Sequence, residues 1–371
     1  MTLLDRATAG RTDTHRRATR QTHADVVHRL RAMLDHILSP LVWTGTSRDH
    51  TLLDFPDHAN VGDSAIYAGE VAWLREKTGR GPGFVGKLDA DGDWDRAAIP
   101  TSGPILLHGG GNFGDIYPRH QNFREELLGT FRDRPLVQLP QSIHFGDAGG
   151  VDRTAASIAN HRDFTLLTRD HESHALAHRH FDCRVEMCPD MAFGLGTLQR
   201  PAPPVRDVLL LLRTDVERVT ECPGPVLPTG WHVADWMGEP ADVHARALRS
   251  ARTLALRSAN PLDLRRRARR VAYYDALAQQ RIDRGLRLLG SARFVITDRL
   301  HGHILCTLMG IPHAVLDNSY GKIARFARAF DTVWDGVVLA DGLTEAIGAA
   351  EDCLARNGGA LQTGKGPDRW A

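Results

Sequence analysis

Long apolar runs are missing from this sequence, and their absence argues against a membrane-spanning helix. The longest purely aliphatic run covers residues 208–212, far short of the roughly 20 apolar residues that cross a bilayer. The first residues are polar and rich in Arg, His and Thr, without an apolar stretch behind them. We therefore expect no secretory signal at this end of the chain.

Cysteine is also scarce, with five residues in a chain of 371. Such an odd, sparse set argues against a framework of disulfides and favours a reducing compartment, so we expect a cytoplasmic protein. His171, His174 and His178 recur at helical spacing, but no carboxylate or cysteine stands in register with them. We expect a solvated helix face there and no metal site.

Neither sign of charge is in excess, because 46 Lys and Arg balance 45 Asp and Glu. The chain therefore has no overall attraction for nucleic acid, and any anionic ligand must be held by cations placed at one site. The sequence also lacks a Walker motif and a nucleophile elbow. One basic run, at residues 265–270, indicates either a solvated helix face or a peripheral contact with an anionic substrate or the inner face of a membrane.

What the sequence does contain is an alternation of short apolar runs with helical patterns. Continuous apolar strands separated by helices are typical of parallel sheets covered on both faces, which is an α/β fold. We predict strands at Thr51–Asp54, Pro104–His108, Pro135–Leu139, Thr165–Thr168, Asp207–Leu212, Arg293–Thr297 and His313–Leu316, and helices at Ala24–Leu38, Ser64–Lys77, Arg119–Phe131, His171–Arg179, Val271–Leu289, Gly302–Met309 and Lys322–Phe330.

Proline marks the main division of the chain. The segment 198–204, which holds Pro201, Pro203 and Pro204, is the best linker, and Pro40 is expected to lie beyond the end of the first helix. We predict an N-terminal extension and helix at 1–45, an N-terminal α/β domain at 46–200, a C-terminal α/β domain at 205–345, and a C-terminal helix and tail at 346–371.

Ligands of open α/β sheets bind beyond the carboxyl ends of the strands, so the residues after each strand are candidates for a site. After the first predicted strand, Asn60, Gly62, Asp63 and Ser64 form a tight turn into a helix, with Asp63 or Ser64 as its N-cap. Two interpretations stay open. Either the amides at the helix start face a ligand, or the turn is simply capped.

A run of glycines follows the second predicted strand. The glycine spacing in 109–114 fits a dinucleotide fingerprint, but Pro118 follows too soon for a helix to start at a pyrophosphate, and no acidic residue ends the next strand. We therefore expect no nicotinamide cofactor. The glycines instead let the backbone approach a ligand or the facing domain, which makes Gly110, Gly111 and Asn112 candidate binding residues.

The second half supplies cations at strand ends. Arg213 directly follows a buried strand, where it must hold either a ligand anion or a structural carboxylate such as Asp215 or Glu217. Residues 298–303 read Asp-Arg-Leu-His-Gly-His, again at a strand end. Arginine grips phosphate or carboxylate, and histidine exchanges a proton near neutral pH, so this segment is the strongest candidate for chemistry.

Two geometric details support that segment. Arg299 and His301 alternate by two, so in extended geometry they point to the same side. Further along, Lys322 offers a third positive charge and Ser319 a hydroxyl beside it. The alternative for this last pair is an ordinary helix start that carries a lysine.

Six short segments in order resemble the polysaccharide pyruvyl transferase family, over about residues 50–330. The matching pieces are Asn-Val-Gly-Asp at 60–63, His-Gly-Gly-Gly-Asn-Phe-Gly-Asp at 108–115, Leu-Pro-Gln-Ser at 139–142, Thr-Arg-Asp-His-Glu-Ser at 168–173, Pro-Asp-Met-Ala-Phe at 189–193 and Thr-Asp-Arg-Leu-His-Gly at 297–302. The resemblance implies two Rossmann-like, doubly wound halves that face each other across a cleft, as in the glycosyltransferase B architecture.

The resemblance also implies an activity. Pyruvate would pass from phosphoenolpyruvate to two hydroxyls of a sugar, giving a cyclic ketal on an exopolysaccharide or cell-wall glycan. Phosphoenolpyruvate would be a co-substrate, with no further cofactor, and the acceptor sugar is either free or lipid-linked. The family's Arg-x-His element matches Arg299 and His301, and its arginine at the head of the second half matches Arg213.

These matches agree with the roles expected from the residues themselves. A doubly anionic donor needs at least two fixed cations, which Arg213 and Arg299 supply. We expect His301 to act as the acid/base, with Asp298 or His303 as its orienting partner. The donor side is expected to include Arg213, Arg299, His303, Lys322 and Ser319, and the acceptor side Asn60, Asp63, Gly110, Gly111 and Asn112.

Two other functions fit the same pattern. A glycosyltransferase that uses a nucleotide-sugar donor would place diphosphate near Arg299. A non-catalytic partner in glycan assembly would keep the fold, but the presence of Arg213, Arg299 and His301 together argues against it.

Overall fold

The computed structural model describes residues 21–42, 50–88, 99–213, 228, 230–256, 262–317, 321–356 and 358, with the backbone alone at 254–256, 262–265 and 322. Its strands form two sheets, of seven and five strands, in which every pairing is parallel. The α/β class predicted from the sequence is therefore confirmed.

The strands are β1 (Thr51–Leu53), β2 (Phe84–Val85), β3 (Ile105–Leu107), β4 (Gly110–Gly114), β5 (Leu136–His144), β6 (Phe164–Thr168), β7 (Arg184–Met187), β8 (Arg206–Leu211), β9 (Trp231–Ala234), β10 (Ala292–Thr297), β11 (His313–Leu316) and β12 (Val337–Ala340). The helices are α1 (His23–Val42), α2 (Val61–Thr78), α3 (Pro118–Thr130), α4 (Ala148–Ala159), α5 (His171–His180), α6 (Val243–Leu256), α7 (Leu262–Gly290), α8 (Leu300–Met309), α9 (Lys322–Phe330) and α10 (Leu343–Arg356), with a 3-10 helix at Met191–Leu195.

We call the elements from β1 to the 3-10 helix the N-terminal half. Its strands run in the order β2-β1-β3-β5-β6-β7, with β4 beside β5. The chain passes from β1 to β2 on one side and then returns to β3 on the other, so the strand order reverses between β1 and β3. Leu53 and Leu107 lie opposite each other at this reversal. A topological switch point of this kind is where open parallel sheets bind ligands.

The elements from β8 onward form the C-terminal half. Its strands run in the order β12-β11-β10-β8-β9, so the reversal lies between β8 and β10. Leu211 of β8 lies opposite Thr297 of β10. Each half therefore has one switch point, and the residues that follow β8 and β10 meet at the second one.

The two halves share their largest hydrophobic cluster, which includes Leu52 and Val137 from one sheet and Leu209 and Val295 from the other. Helix α1 joins them from outside. His23 Nδ1 donates a hydrogen bond to the carbonyl of Thr307 in α8 at 3.1 Å. The first described helix of the chain therefore packs on the C-terminal half.

Three predicted boundaries are wrong in informative ways. Helix α1 continues through Pro40 to Val42, because Leu41 and Val42 are buried in the shared core and their burial outweighs the loss of one helical hydrogen bond. Helix α7 begins at Leu262 and not at Val271. The glycine run, which was not among the predicted strands, forms β4, and β4 pairs with β5.

None of the helices in the described ranges is both long enough and apolar enough to cross a membrane.

Candidate active site

The start of α2 forms the acceptor-side corner of the candidate site. Asn60 is the N-cap, because its Oδ1 accepts a hydrogen bond from the backbone N of Gly62 at 3.1 Å. The N-cap predicted at Asp63 or Ser64 is therefore wrong: the helix begins earlier, at Val61. Asn60 Nδ2 also donates to Asp63 Oδ2 at 2.7 Å, so the capping residue positions the carboxylate.

Asp63 keeps its negative charge in this corner. Burial raises the pKa of its carboxyl, but His58, His301 and other nearby cations outweigh burial and hold that pKa below its ordinary value. The side chain is 25% exposed, with His58 Nε2 at 3.6 Å from Oδ2. An ionised, partly exposed carboxylate accepts hydrogen bonds, so Asp63 is suited to bind a hydroxyl group.

The glycine strand β4 runs beside Asp63. Gly110 has a φ of 128°, which a residue with a side chain rarely adopts, and a Cβ atom there would lie 3.7 Å from Asp63 Oδ1. A Cβ atom at Gly111 would lie 3.2 Å from Arg169 Nη2. Missing side chains therefore open the space between the carboxylate of Asp63 and the guanidinium of Arg169.

Asn112, the third predicted acceptor residue of this segment, is held by the protein itself. Its Nδ2 donates to Asp54 Oδ2 at 3.1 Å, and its Oδ1 accepts from Arg124 Nη2 at 2.9 Å and Gln141 Nε2 at 2.8 Å. These bonds fix the end of the glycine strand. In this arrangement Asn112 positions the backbone of β4.

A buried carboxylate–imidazole pair lies under the glycine run. His108 Nδ1 donates to both oxygens of Glu70, at 3.1 and 3.0 Å, and Gly109 N donates to the same carboxylate at 2.9 Å. Burial lowers the pKa of His108, but Glu70 outweighs it and the net pKa is raised. The pair anchors the turn after β3 at the first switch point.

Arg169 and Asp190 bring a second charged pair to the same edge of the N-terminal sheet. Arg169 follows β6 and Asp190 follows β7 by a few residues; the Nη1 of Arg169 binds Asp190 Oδ2, and both side chains are almost fully buried. Arg169 Nε donates to Ser142 Oγ at 3.1 Å. Asp190 Oδ1 accepts from Ala192 N at 2.9 Å, which begins the 3-10 helix.

His301 crosses from the C-terminal half into this cluster. It lies in the first turn of α8, and its Nε2 is 3.4 Å from Asp190 Oδ2. On the other side of the ring, a Cβ atom at Gly62 would be only 2.5 Å from Nδ1. The predicted acid/base therefore contacts two elements of the N-terminal half, the 3-10 helix start and the α2 start.

The carboxyl ends of three neighbouring strands in the C-terminal sheet carry Arg299, Arg213 and Asp235. These residues follow β10, β8 and β9 in turn. Arg299 Nη2 donates to Asp235 Oδ2 at 2.7 Å, and its guanidinium lies 5.8 Å from the Trp236 ring. The two predicted donor-binding arginines are therefore neighbours at the second switch point, and the buried Arg299 already has a carboxylate partner.

The two predicted orienting partners of His301 are engaged elsewhere. Asp298 Oδ1 accepts a hydrogen bond from the backbone N of Arg213 at 2.9 Å, which ties the two strand ends together. Burial raises the pKa of Asp298. His303 Nδ1 bonds His313 Nε2 at 2.8 Å, and its Nε2 bonds Thr332 Oγ1 at 2.7 Å. Both nitrogens of His303 are thus used in the interior of the C-terminal half.

Two predicted donor residues, Ser319 and the side chain of Lys322, lie outside the described part of the structure, as do Asp215 and Glu217. A different cation approaches the cleft nearby. Arg325 of α9 lies 3.8 Å from Glu172 of α5, and with Gly111 and Ser142 it lines a cavity of about 30 Å³. That volume holds about one water.

A larger cavity of about 630 Å³ lies at the opposite edge of the C-terminal sheet, between α10 and the strand starts, where Pro312, Gly336 and Asp352 line it. The strand order argues against this place as the main site, because open parallel sheets bind ligands at their carboxyl ends.

Reasoning from the sequence missed four residues of the cluster. Arg169 follows a predicted strand, which is the same signal that pointed to Arg213 and Arg299, whereas Asp190 and Asp235 follow β7 and β9, which were not predicted. The segments 168–173 and 189–193 had been recognised only as family pieces. Gly62 had been treated as part of a turn, and its contact with His301 depends on long-range packing.

The fold and the charged residues at its two switch points define an α/β protein with a candidate site where two parallel-sheet halves meet. The family described as polysaccharide pyruvyl transferase matches residues 60–320. The chain belongs to this family and is a pyruvyl transferase.

Known relatives agree with this placement. Pyruvyl transferase 1 of Schizosaccharomyces pombe is 33% identical over 80% of this chain and 74% of its own length. EpsO of Bacillus subtilis, named as a pyruvyl transferase, is 30% identical over 76% of this chain and 85% of its own. A crystal structure of an uncharacterised protein from Klebsiella pneumoniae has a TM-score of 0.52 and 17% identity, covering 84% of this chain and 99% of that one. This last likeness concerns the fold alone.

Proposed function

We propose that the protein transfers a pyruvyl group from phosphoenolpyruvate to two hydroxyls of a sugar in an exopolysaccharide or cell-wall glycan, forming a cyclic ketal. The observation that carries the proposal is the position of His301. Its ring stands between the start of α2, with Asp63 beside it, and the buried Arg169–Asp190 pair, while Arg213 and Arg299 follow neighbouring strands of its own half.

Each half would then bind one of the two substrates, in an arrangement like that of glycosyltransferase B. The C-terminal half would bind the donor, because a phosphate and a carboxylate need two fixed cations, and Arg213 and Arg299 lie at one switch point. The N-terminal half would bind the acceptor through Asn60, Asp63 and the glycine strand. Because Asp235 already holds Arg299, a donor anion must either displace this carboxylate or bind the guanidinium beside it.

Proton transfer is the role that His301 would take. The methylene carbon of the donor gains a proton, a sugar oxygen attacks the neighbouring carbon, phosphate leaves, and the second hydroxyl closes the ketal. Of the two protons that the hydroxyls lose, one ends on the new methyl group and the other on the released phosphate. An imidazole that gives and takes one proton near neutral pH can move the first of them.

Substrate entry requires the two halves to separate. A donor and a sugar need several hundred Å³, whereas the described cavity between the halves, lined by Gly111, Ser142 and Arg325, is about 30 Å³. Closing of the halves over both bound substrates would exclude water from the reaction and protect phosphoenolpyruvate from hydrolysis.

The helical hairpin α6–α7 supports a peripheral contact with an anionic surface, such as a membrane that carries a lipid-linked acceptor. Residues 243–274 hold nine arginines and one acidic residue, in a chain whose net charge is +1. Arg249, Arg252, Arg266 and Arg269 are exposed. Clustered arginines attract anionic lipid headgroups over about one Debye length.

The proposal is tested by incubating the protein with phosphoenolpyruvate and a panel of sugar acceptors. We expect release of phosphate that depends on the acceptor, and a product that has gained one pyruvyl group by mass. A nucleotide-sugar transferase would instead be stabilised against heat by nucleotide sugars and not by phosphoenolpyruvate. No phosphate release with any acceptor, together with stabilisation by a nucleotide sugar, would replace this proposal by that one.

A further inference from the structure

We propose that Asp190 of the N-terminal half is the positioning residue of His301, and that it makes Nδ1 the nitrogen that exchanges a proton in the reaction. The proposal rests on the proposed function in so far as His301 acts as the acid/base. It replaces Asp298 and His303, whose contacts lie elsewhere, with a residue 111 positions earlier in the chain.

The orientation of the Asp190 carboxylate is fixed by two bonded contacts, and its Oδ2 faces the buried Nε2 of His301, which has no hydrogen-bond partner among the described residues. Oδ1 accepts from Ala192 N at 2.9 Å, while Oδ2 meets Arg169 Nη1 and lies 3.4 Å from His301 Nε2. The side chain is 1% exposed. Burial raises the pKa of Asp190, but His301 and Arg169 hold it well below its ordinary value, so the group stays a carboxylate.

Nε2 lies 3.4 Å from the carboxylate oxygen and, in this arrangement, makes no hydrogen bond among the described residues. A carboxylate can only accept hydrogen bonds, so this pair can close to a hydrogen bond only with a proton on Nε2. Nε2 of His301 is then protonated in both the neutral and the charged ring. Nδ1 is the atom that gains and loses the proton. This is the arrangement in which a carboxylate sets the tautomer of a neighbouring imidazole.

Nδ1 points toward the acceptor side of the site. It lies against Gly62, in the first turn of α2, where Asn60 caps the helix and holds Asp63. Nδ1 therefore gives one proton to the methylene carbon of the donor and takes one back from a hydroxyl bound near Asp63. The ring ends the cycle in the protonation state in which it began, so the protons balance.

The contact also makes catalysis depend on closure. Asp190 and Gly62 belong to one half and His301 to the other, so the ring has its tautomer set only when the halves meet.

The ring tautomer is the direct test, because it is measured by nitrogen NMR on the resting protein and does not require activity. The signal of His301 is assigned by its loss in the His301→Gln variant. We expect the proton of the neutral ring on Nε2. In Asp190→Asn, an amide that keeps Oδ1 at Ala192 N would turn its NH₂ toward His301 Nε2, and so also toward the Arg169 Nη1 that Oδ2 binds in the wild type. We expect the ring proton to move to Nδ1, with the bond to Arg169 lost in the same variant.

Kinetics supply the second readout. For Asp190→Asn we expect kcat to fall at least about tenfold, while KM for phosphoenolpyruvate changes less than about threefold, since acid/base catalysis contributes roughly 10²–10⁴. The matched control is Asp207→Asn, a buried carboxylate paired with Arg293 at 3.2 Å on the opposite edge of the C-terminal sheet. It should change stability without changing kcat or the His301 tautomer.

The outcomes separate this inference from the function on which it rests. A wild-type ring protonated on Nδ1 overturns the inference even if pyruvyl transfer is found, and so does an Asp190→Asn variant with the kcat of the control. An Nε2-protonated ring in a protein that never releases phosphate from phosphoenolpyruvate supports the positioning contact and counts against the proposed donor. If Asp190→Asn does not fold, the wild-type tautomer decides.

Discussion

Nδ1 of His301 lies so close to the backbone of Gly62 that a Cβ atom at position 62 would stand 2.5 Å from it. The two residues are 239 positions apart and belong to different halves. Real Cβ atoms do not approach ring atoms so closely, so any side chain at position 62 must move the imidazole or the helix.

We therefore expect Gly62→Ala to lower activity at least about tenfold while the protein stays folded, because alanine is favoured over glycine in a helix by about 1 kcal/mol. Steady-state kinetics and a thermal unfolding curve measure both effects. Gly129→Ala is the control, since a Cβ atom there meets no atom within 4 Å. Full activity in Gly62→Ala would show that the contact has no part in the reaction.

The second prediction concerns the planar guanidinium group of Arg299. Arg299→Lys keeps the positive charge but loses the planar, bidentate hydrogen bonding of a guanidinium to an anion. We expect KM for phosphoenolpyruvate to rise at least about tenfold, which is about 1.4 kcal/mol of binding free energy.

Arg293→Lys is the matched control for that change. Arg293 is also paired with an aspartate, Asp207, but lies at the other edge of the same sheet. The Arg293→Lys substitution should leave KM for phosphoenolpyruvate within about twofold of the wild-type value, since the residue is remote from the strand ends that bind ligands. Equal effects of the two substitutions would place the donor elsewhere.

The third prediction is a loss of stability in acid from the His303–His313 pair. His313 Nδ1 donates to the carbonyl of Ile311 at 2.7 Å, so the neutral Nε2 accepts from His303 Nδ1. Burial lowers the pKa of His313 to about 4 and that of His303 well below its ordinary value. Both rings must lose any proton on folding.

The sign of this effect follows from proton binding. Between an unfolded pKa of about 6.5 and a folded pKa of about 4, the unfolded chain binds more protons, so stability is full above about pH 6.5 and falls as the pH falls. One such group contributes up to about 3 kcal/mol over that range. Denaturant unfolding of the wild type and of His303→Gln/His313→Gln at pH 7 and pH 5 measures it. The prediction fails if the free energy of unfolding falls by the same amount in both proteins between pH 7 and pH 5.

The fourth prediction concerns the arginines of the α6–α7 hairpin. Changing Arg249, Arg252, Arg266 and Arg269 together to Gln should reduce binding to vesicles that contain an anionic lipid by at least about tenfold, since each arginine near the surface contributes about 1 kcal/mol. Added salt should weaken wild-type binding. Vesicle sedimentation gives the bound fraction.

The control carries the same change in charge on the other half. Arg119, Arg132, Arg153 and Arg179 are exposed on the N-terminal half, and their replacement by Gln should leave vesicle binding almost unchanged. If both fourfold variants bind equally, the hairpin is a solvated face and not a membrane contact.

Much of the sheet structure could be predicted from the sequence, because buried parallel strands are short runs of aliphatic residues. His313–Leu316 was predicted with the bounds that the structure has. The strand β4 was not, because glycine is rare in strands. Here the chain accepts glycine since Asn112 and Gln141 hold the segment against β5.

The site was predictable only where a strand end signalled it. Arg213, Arg299 and His301 follow strands and are of types that bind anions or exchange protons, so they could be found as candidates. The pairing of His301 with Asp190 could not, because the positions that meet across two halves depend on how both sheets pack. The same holds for the pairing of Arg299 with Asp235, which could be known only once the neighbouring order of β8, β9 and β10 was established.

The most direct test of the account follows the proton that reaches the donor carbon. The protein is incubated in heavy water with phosphoenolpyruvate and an acceptor sugar, and the ketal product is examined by mass spectrometry and NMR, with His301→Gln as the comparison. The account predicts a product whose pyruvyl methyl group carries one deuterium, and its near-absence with the variant. A sugar product without a pyruvyl group, or equal product from the His301→Gln variant, would contradict it.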